Sequence, residues 1–135
     1  MRNILHSFLV IGLLFSCGSK EKPEETSANQ ETPVVSAGLT EASFTEKIKG
    51  KPMVIIDYNA TWCGPCKQLS PILKEWVKEQ NGKVELIEID VDENQELAKS
   101  KQIESIPYLE MYKNGVKTWT SVGLIGKEEL NKSLE

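Results

Sequence analysis

The run Met53-Val54-Ile55-Ile56-Asp57-Tyr58 limits what this chain can fold into more than any other segment. It is almost continuously apolar, where a strand with one wet face would alternate, so it reads as a strand buried on both faces. Such a strand needs a packed layer above and below it. That requirement points to an α/β fold with helices on the faces of a central sheet.

The flanking segments supply those layers. Thr40 is placed to N-cap a helix running to about Lys49, with Leu39 and Phe44 at the N′ and N4 positions of a hydrophobic staple. Phe44 and Ile48 share one face of it, and Lys51-Pro52 ends it. Residues 63–80 read as a longer helix with Leu69, Ile72, Leu73, Trp76 and Val77 on one stripe, Pro71 inside it and Asn81-Gly82 at its end. Val84 to Asp90 is a second strand, and Asp92 with Gln95 opens a short helix to about Lys101. Tyr108–Lys113 and Val116–Val122 are strands joined by Asn114-Gly115, a hairpin signal. Lys127 to Leu134 forms a last helix, and Val34-Val35-Ser36 a first edge strand. Early crossovers predict parallel pairing and the hairpin adds an antiparallel part, so the sheet is mixed. Trp76 and Trp119 are read as packing residues.

Composition agrees with a packed domain. Hydrophobic residues make up 39% and charged residues 27% of 135 residues, which argues against whole-chain disorder. The net charge is −4 and the lysines and arginines are dispersed, so nucleic-acid binding is not expected.

The N-terminus reads as an address. Arg2 precedes the apolar run Phe8-Leu9-Val10-Ile11-Gly12-Leu13-Leu14-Phe15, far short of the roughly 20 residues of a bilayer span. Leu14-Phe15-Ser16-Cys17 resembles the bacterial lipoprotein signal, in which cleavage precedes the cysteine and lipid is attached to it. That resemblance implies a signal peptide over 1–16, a lipidated Cys17 and a location in the bacterial cell envelope, facing the periplasm or the exterior. Residues 17–33 contain no large apolar side chain beyond Cys17 and read as a flexible tether, with the folded domain over 34–135. The single histidine, His6, falls within the segment to be removed. Its loss excludes Ser-His-Asp and Cys-His hydrolytic machinery and histidine metal sites.

The chemistry lies where the buried strand ends, in Thr61-Trp62-Cys63-Gly64-Pro65-Cys66-Lys67. The cysteine pair is at a helix N-terminus, where free N–H groups and the positive dipole end stabilise a thiolate. Cys63, at the helix start, is expected to be the more exposed and more acidic thiol, and Cys66, one turn in, the resolving thiol. Two other uses stay open. Half a zinc site would need two more ligands, with no histidine left to supply them. A structural disulfide is possible in an exported protein, although such bridges usually close longer loops.

Trp62-Cys63-Gly64-Pro65-Cys66-Lys67 resembles the active-site motif of the thioredoxin family. Asp57 matches the family's buried aspartate, Pro71 its helix proline, Ile106-Pro107 its cis-proline, Lys113-Asn114-Gly115 its hairpin and Gly123 the glycine after its last strand. The resemblance covers roughly residues 34–135. It implies a thioredoxin-like fold, a redox-active Cys63–Cys66 disulfide, Asp57 as proton acceptor, and a substrate groove shaped by Trp62, Gly64, Pro65, Ile106, Pro107 and Gly123. The implied activity is a thiol:disulfide oxidoreductase reducing protein disulfides without metal or organic cofactor, as a monomer. A reductase in an oxidising compartment would draw electrons from a membrane donor. A tethered binding module without turnover is the alternative, against which the intact cysteine pair argues.

Four departures stand out. Asn59 replaces a usual tryptophan, Tyr108 a usual threonine after the cis-proline, Glu110 a usual aliphatic residue, and Glu88 a lysine commonly facing the buried aspartate. A carboxylate at Glu88 is expected to raise the pKa of Asp57, unless its side chain turns to solvent.

Overall fold

The computed structural model describes residues 38–135. The expected signal peptide, Cys17, tether and Val34–Ser36 strand lie outside the described residues. Among the described residues, four helices and four strands follow in the order α1 (Glu41–Ile48), β1 (Met53–Asn59), α2 (Gly64–Glu79), β2 (Glu85–Asp90), α3 (Gln95–Ser100), β3 (Tyr108–Lys113), β4 (Val116–Val122) and α4 (Lys127–Lys132). The sheet order is β2-β1-β3-β4.

Helix length explains the mixed sheet. A parallel crossover must carry the chain back the length of a strand, roughly 20 Å for six residues. The 16 residues of α2 rise about 24 Å, and β1 and β2 pair in parallel. The six residues of α3 rise only about 9 Å, so the chain re-enters from the same end and β3 runs antiparallel to β1. Asn114 and Gly115 both adopt positive φ, 53° and 80°, and turn the chain from β3 antiparallel into β4.

β1 is buried along its middle, as its apolar run requires. Ile55, with Leu109 and Met111 from β3, faces α2 and α4 and packs on Leu69, Leu73, Trp76 and Leu130. Val54, Ile56 and Tyr58 face the other way, onto Phe44, Ile48 and Leu97 of α1 and α3. Trp76 is fully buried and donates its indole N–H to Asn131 Oδ1 at 2.8 Å; Trp119 packs on the same core. Thr40 caps α1 through a reciprocal pair of bonds with Ser43, and Leu39 and Phe44 pack into one cluster.

The start of α3 differs from the expected one. Its N-cap is Asn94, not Asp92. Asp90 Oδ1 accepts the amides of Asp92 and Glu93, at 2.8 and 3.3 Å, which holds these residues in a turn before the helix. Gln95 still reaches back, but to the Asp92 carbonyl.

The face toward α1 carries a polar cluster inside the core. Glu110 is fully buried. Its carboxylate accepts from Tyr58 Oη at 3.0 Å, Tyr112 Oη at 2.9 Å and Lys117 Nζ at 2.9 Å. Three donors from β1, β3 and β4 thus satisfy a group that would otherwise be costly to bury. Burial beside this carboxylate raises both tyrosine pKa values well above the usual range, and the bond to Glu110 raises that of Lys117.

Candidate functional site

β1 delivers the chain into a tight turn in which the Cys63 amide donates to the Ala60 carbonyl at 3.1 Å. α2 begins at Gly64 with Cys63 as its N-cap, and Pro65 occupies the first turn, where its missing N–H costs nothing. The Cys63 sulfur accepts the backbone N–H of Cys66 at 3.2 Å, a bond that would hold negative charge on that sulfur in the reduced form. Cys63 and Cys66 are joined as a disulfide, with Cα atoms 5.3 Å apart. The expected difference in exposure is absent, at 3% for Cys63 and 4% for Cys66. In the oxidised pair the Cys63 sulfur is turned inward onto Cys66 and packs with Ala60, Val91 and Ile106.

On one side of the disulfide lies a cleft of about 190 Å³ lined by Asp57, Asn59, Ala60, Thr61, Cys66, Lys67, Ser70 and Glu88. Asp57 is 1% exposed. Its Oδ2 accepts a bond from Asn59 Nδ2 at 3.3 Å, while Oδ1 has no partner among the described residues. Burial pushes its pKa up from 3.8 to about 6, opposed by the Asn59 bond; Glu88 raises it further and Lys74 lowers it. Glu88 is the register partner of Asp57 on β2. Glu88 lines the cleft, and its carboxylate lies 3.0 Å from Lys74 Nζ and 3.4 Å from Ser70 Oγ. The Glu88 departure therefore acts in the expected direction, and Lys74, one turn along α2 from Ser70, partly offsets it.

On the other side is a groove of about 350 Å³ lined by Trp62, Val91, Ile103, Glu104, Ser105 and Ile106. Trp62 is 66% exposed, yet its indole N–H is fixed on Asp92 Oδ2 at 2.7 Å. Asp92 was legible only as a cap; its hold on Trp62 depends on the turn that delays α3. The Ile106–Pro107 bond is cis. The Gly123 amide donates to the Pro107 carbonyl at 2.8 Å and ties the end of β4 to this loop. Gly123 has φ +88°, and a Cβ there would meet nothing within 4 Å, so backbone conformation alone calls for glycine. Val122 and Leu124 stand exposed beside it.

The structure thus gathers Asp57, Cys63, Cys66, Trp62, Gly64, Pro65, Ile106 and Pro107 around one disulfide, with Gly123 one hydrogen bond away. Among the described residues no group of three or more His, Cys, Asp or Glu side chains is placed to hold a metal ion.

A strand ending in a disulfide-bonded cysteine pair at a helix N-terminus, over a buried acid and beside a cis-proline, defines a thiol:disulfide exchange site on an α/β scaffold. Comparison with known proteins gives the family. The thioredoxin family model matches residues 35–135. A thioredoxin of Rickettsia felis is 39% identical over 101 residues, covering 71% of this chain and 96% of that relative. One from Staphylococcus aureus is 37% identical over 97 residues, covering 72% and 92%. A solved structure of Plasmodium falciparum thioredoxin superposes with a TM-score of 0.63 at 34% identity, covering 70% of this chain and 91% of that one. The chain belongs to the thioredoxin family and is a thiol:disulfide oxidoreductase.

Proposed function

We propose that this oxidoreductase reduces protein disulfides in the bacterial cell envelope, held to a membrane by lipid on Cys17. The observation that carries the chemical part is the Cys63–Cys66 disulfide at the α2 N-terminus, flanked by the buried Asp57. In the reduced form the Cys63 thiolate attacks one sulfur of a substrate disulfide, and the other substrate sulfur leaves as a thiolate. The Cys66 thiol gives its proton to Asp57 and attacks the Cys63 sulfur of the mixed disulfide. The second substrate thiolate leaves, and Cys63–Cys66 is oxidised. Two electrons have passed to the substrate, and a donor at the membrane restores the dithiol. Trp62, Gly64, Pro65, Ile106, Pro107 and Gly123 shape the groove that receives the substrate chain.

The anchoring part rests on Leu14-Phe15-Ser16-Cys17. Labelling cells with a fatty acid checks it: wild type incorporates label and Cys17→Ala does not, whereas equal labelling refutes lipid attachment. Insulin-disulfide reduction with dithiothreitol checks the reductase. A Cys66→Ser variant should accumulate mixed disulfides with its partners, and absence of both turnover and trapped species would point to a binding module instead.

A further inference from the structure

The groove beside Trp62 is walled by apolar side chains but charged with one sign. Val91 and Ile106, which form part of its lining, also pack directly on the cysteine pair. A polypeptide whose cysteine reaches Cys63 therefore lays its neighbouring residues across this surface. Among the described residues Glu104 is the only charged one in the lining. No lysine or arginine pairs with it among the described residues. A second carboxylate, Asp92, stands at the Trp62 wall.

Two neighbouring lysines lie away from this groove. Lys101, three residues before Glu104, is turned toward α1, with its Nζ 3.3 Å from Glu41 and 4.6 Å from the centroid of the Phe44 ring. Lys67 lines the cleft on the other side of the disulfide.

We infer that this groove selects substrate disulfides whose cysteine is flanked by lysine or arginine, with Glu104 as the specificity-determining counter-charge. The inference deepens the reading of the site as a protein-disulfide reductase and rests on it. The apolar walls take the aliphatic stems of such side chains while the ammonium or guanidinium group meets Glu104 at the open rim. Because the rim is wet, the charge acts mainly on encounter and orientation, and salt weakens it.

The test uses the full chain with dithiothreitol as the dithiol reductant and two synthetic substrates. Each is a disulfide-linked peptide dimer, identical except that its cysteine is flanked on both sides by Lys or by Glu. Hydroxyethyl disulfide serves as a small uncharged substrate. Rates are corrected for reduction by dithiothreitol alone. Each turnover converts one substrate disulfide to two thiols and one protein dithiol to Cys63–Cys66, which dithiothreitol reduces again.

Wild type should favour the Lys dimer in kcat/KM by about three- to tenfold at low ionic strength, with the ratio falling toward one in high salt. Glu104→Lys should erase or invert that preference. Glu46→Lys, the same charge change on the exposed face of α1, should keep it. Equal preferences in wild type and Glu104→Lys would overturn the inference while turnover of hydroxyethyl disulfide upheld the oxidoreductase. No turnover of any of the three substrates would overturn both.

Discussion

Asp57 Oδ1 is a buried oxygen with no partner among the described residues, aimed at a cleft it shares with Cys66. A carboxyl with a pKa near 6 is poised to take a proton at neutral pH and to return it. The rate of mixed-disulfide resolution should therefore fall as pH drops through about 6, as protonated Asp57 loses the capacity to accept. Stopped-flow measurement of that step checks it. Glu88→Lys should move the inflection down, because it replaces a like charge with an opposite one, and Asp57→Asn should slow the step and flatten its profile. Superimposable profiles for wild type and Glu88→Lys would show that Glu88 has no hold on Asp57. The sequence displayed the acid and its unusual neighbour. It did not display Asn59 or Lys74 as moderators, since their reach depends on which way two side chains turn relative to Asp57. At the cysteines, the bond from the Cys66 amide to the Cys63 sulfur favours negative charge on Cys63. Brief iodoacetamide treatment of the reduced protein at neutral pH should alkylate Cys63 first, as peptide mapping would reveal; preferential labelling of Cys66 would reverse the roles.

Among the elements, β1, β3 and β4 are joined by more than their ladders. The Glu110 carboxylate collects donors from all three strands. Glu110→Leu would leave two tyrosine hydroxyls without their acceptor in the core, and should cost about 2–5 kcal/mol in urea denaturation. Adding Tyr58→Phe, Tyr112→Phe and Lys117→Met to that change should recover most of the loss, because an apolar replacement of a whole buried network is often neutral. Failure to recover would mean that the space, not the polarity, had been spoiled. Glu110 was visible in the sequence only as a departure from an aliphatic position. Tyr58, Tyr112 and Lys117 were visible too, but which of them meet is decided by strand register, and no local pattern states that. Helices α1 and α2 were legible almost to the residue because their caps, Thr40 and Cys63, are themselves sequence signals. α3 was misplaced at its start because Asp90, at the end of β2, takes the amides that Asp92 would have capped.

For the whole molecule, the buried acid makes stability depend on pH. A carboxyl at 3.8 in the unfolded chain and about 6 in the folded one binds more protons when folded between those values, so stability falls as pH rises from about 4 to about 6. The loss is on the order of 3 kcal/mol at neutral pH. Asp57→Asn should stabilise the oxidised protein by about that amount at pH 7 and by little near pH 3, as urea titrations at the two values would measure. The layer order followed from the sequence, since an apolar strand among amphipathic helices has few other ways to be covered.

β4 carries one more consequence. Lys117 and Trp119 are two residues apart, which in a regular strand puts them on the same face. Here Lys117 reaches Glu110 on the α1 side while Trp119 packs with Met111 on the α2 side, because the register shifts between Met111 and Tyr112 and leaves Thr118 without an opposite residue. The opposite facing of these two side chains works as a key for strand alignment. Sliding β4 by one position would bring a hydrophobic ring toward a buried carboxylate or a cation toward the apolar core, so the hairpin has one way to lock. Deleting Thr118 would leave Lys117 and Trp119 adjacent and still on opposite faces, so its urea midpoint should lie near that of Thr118→Ala, and a far lower midpoint would mean that the bulge itself, not the facing of these two side chains, holds the strand.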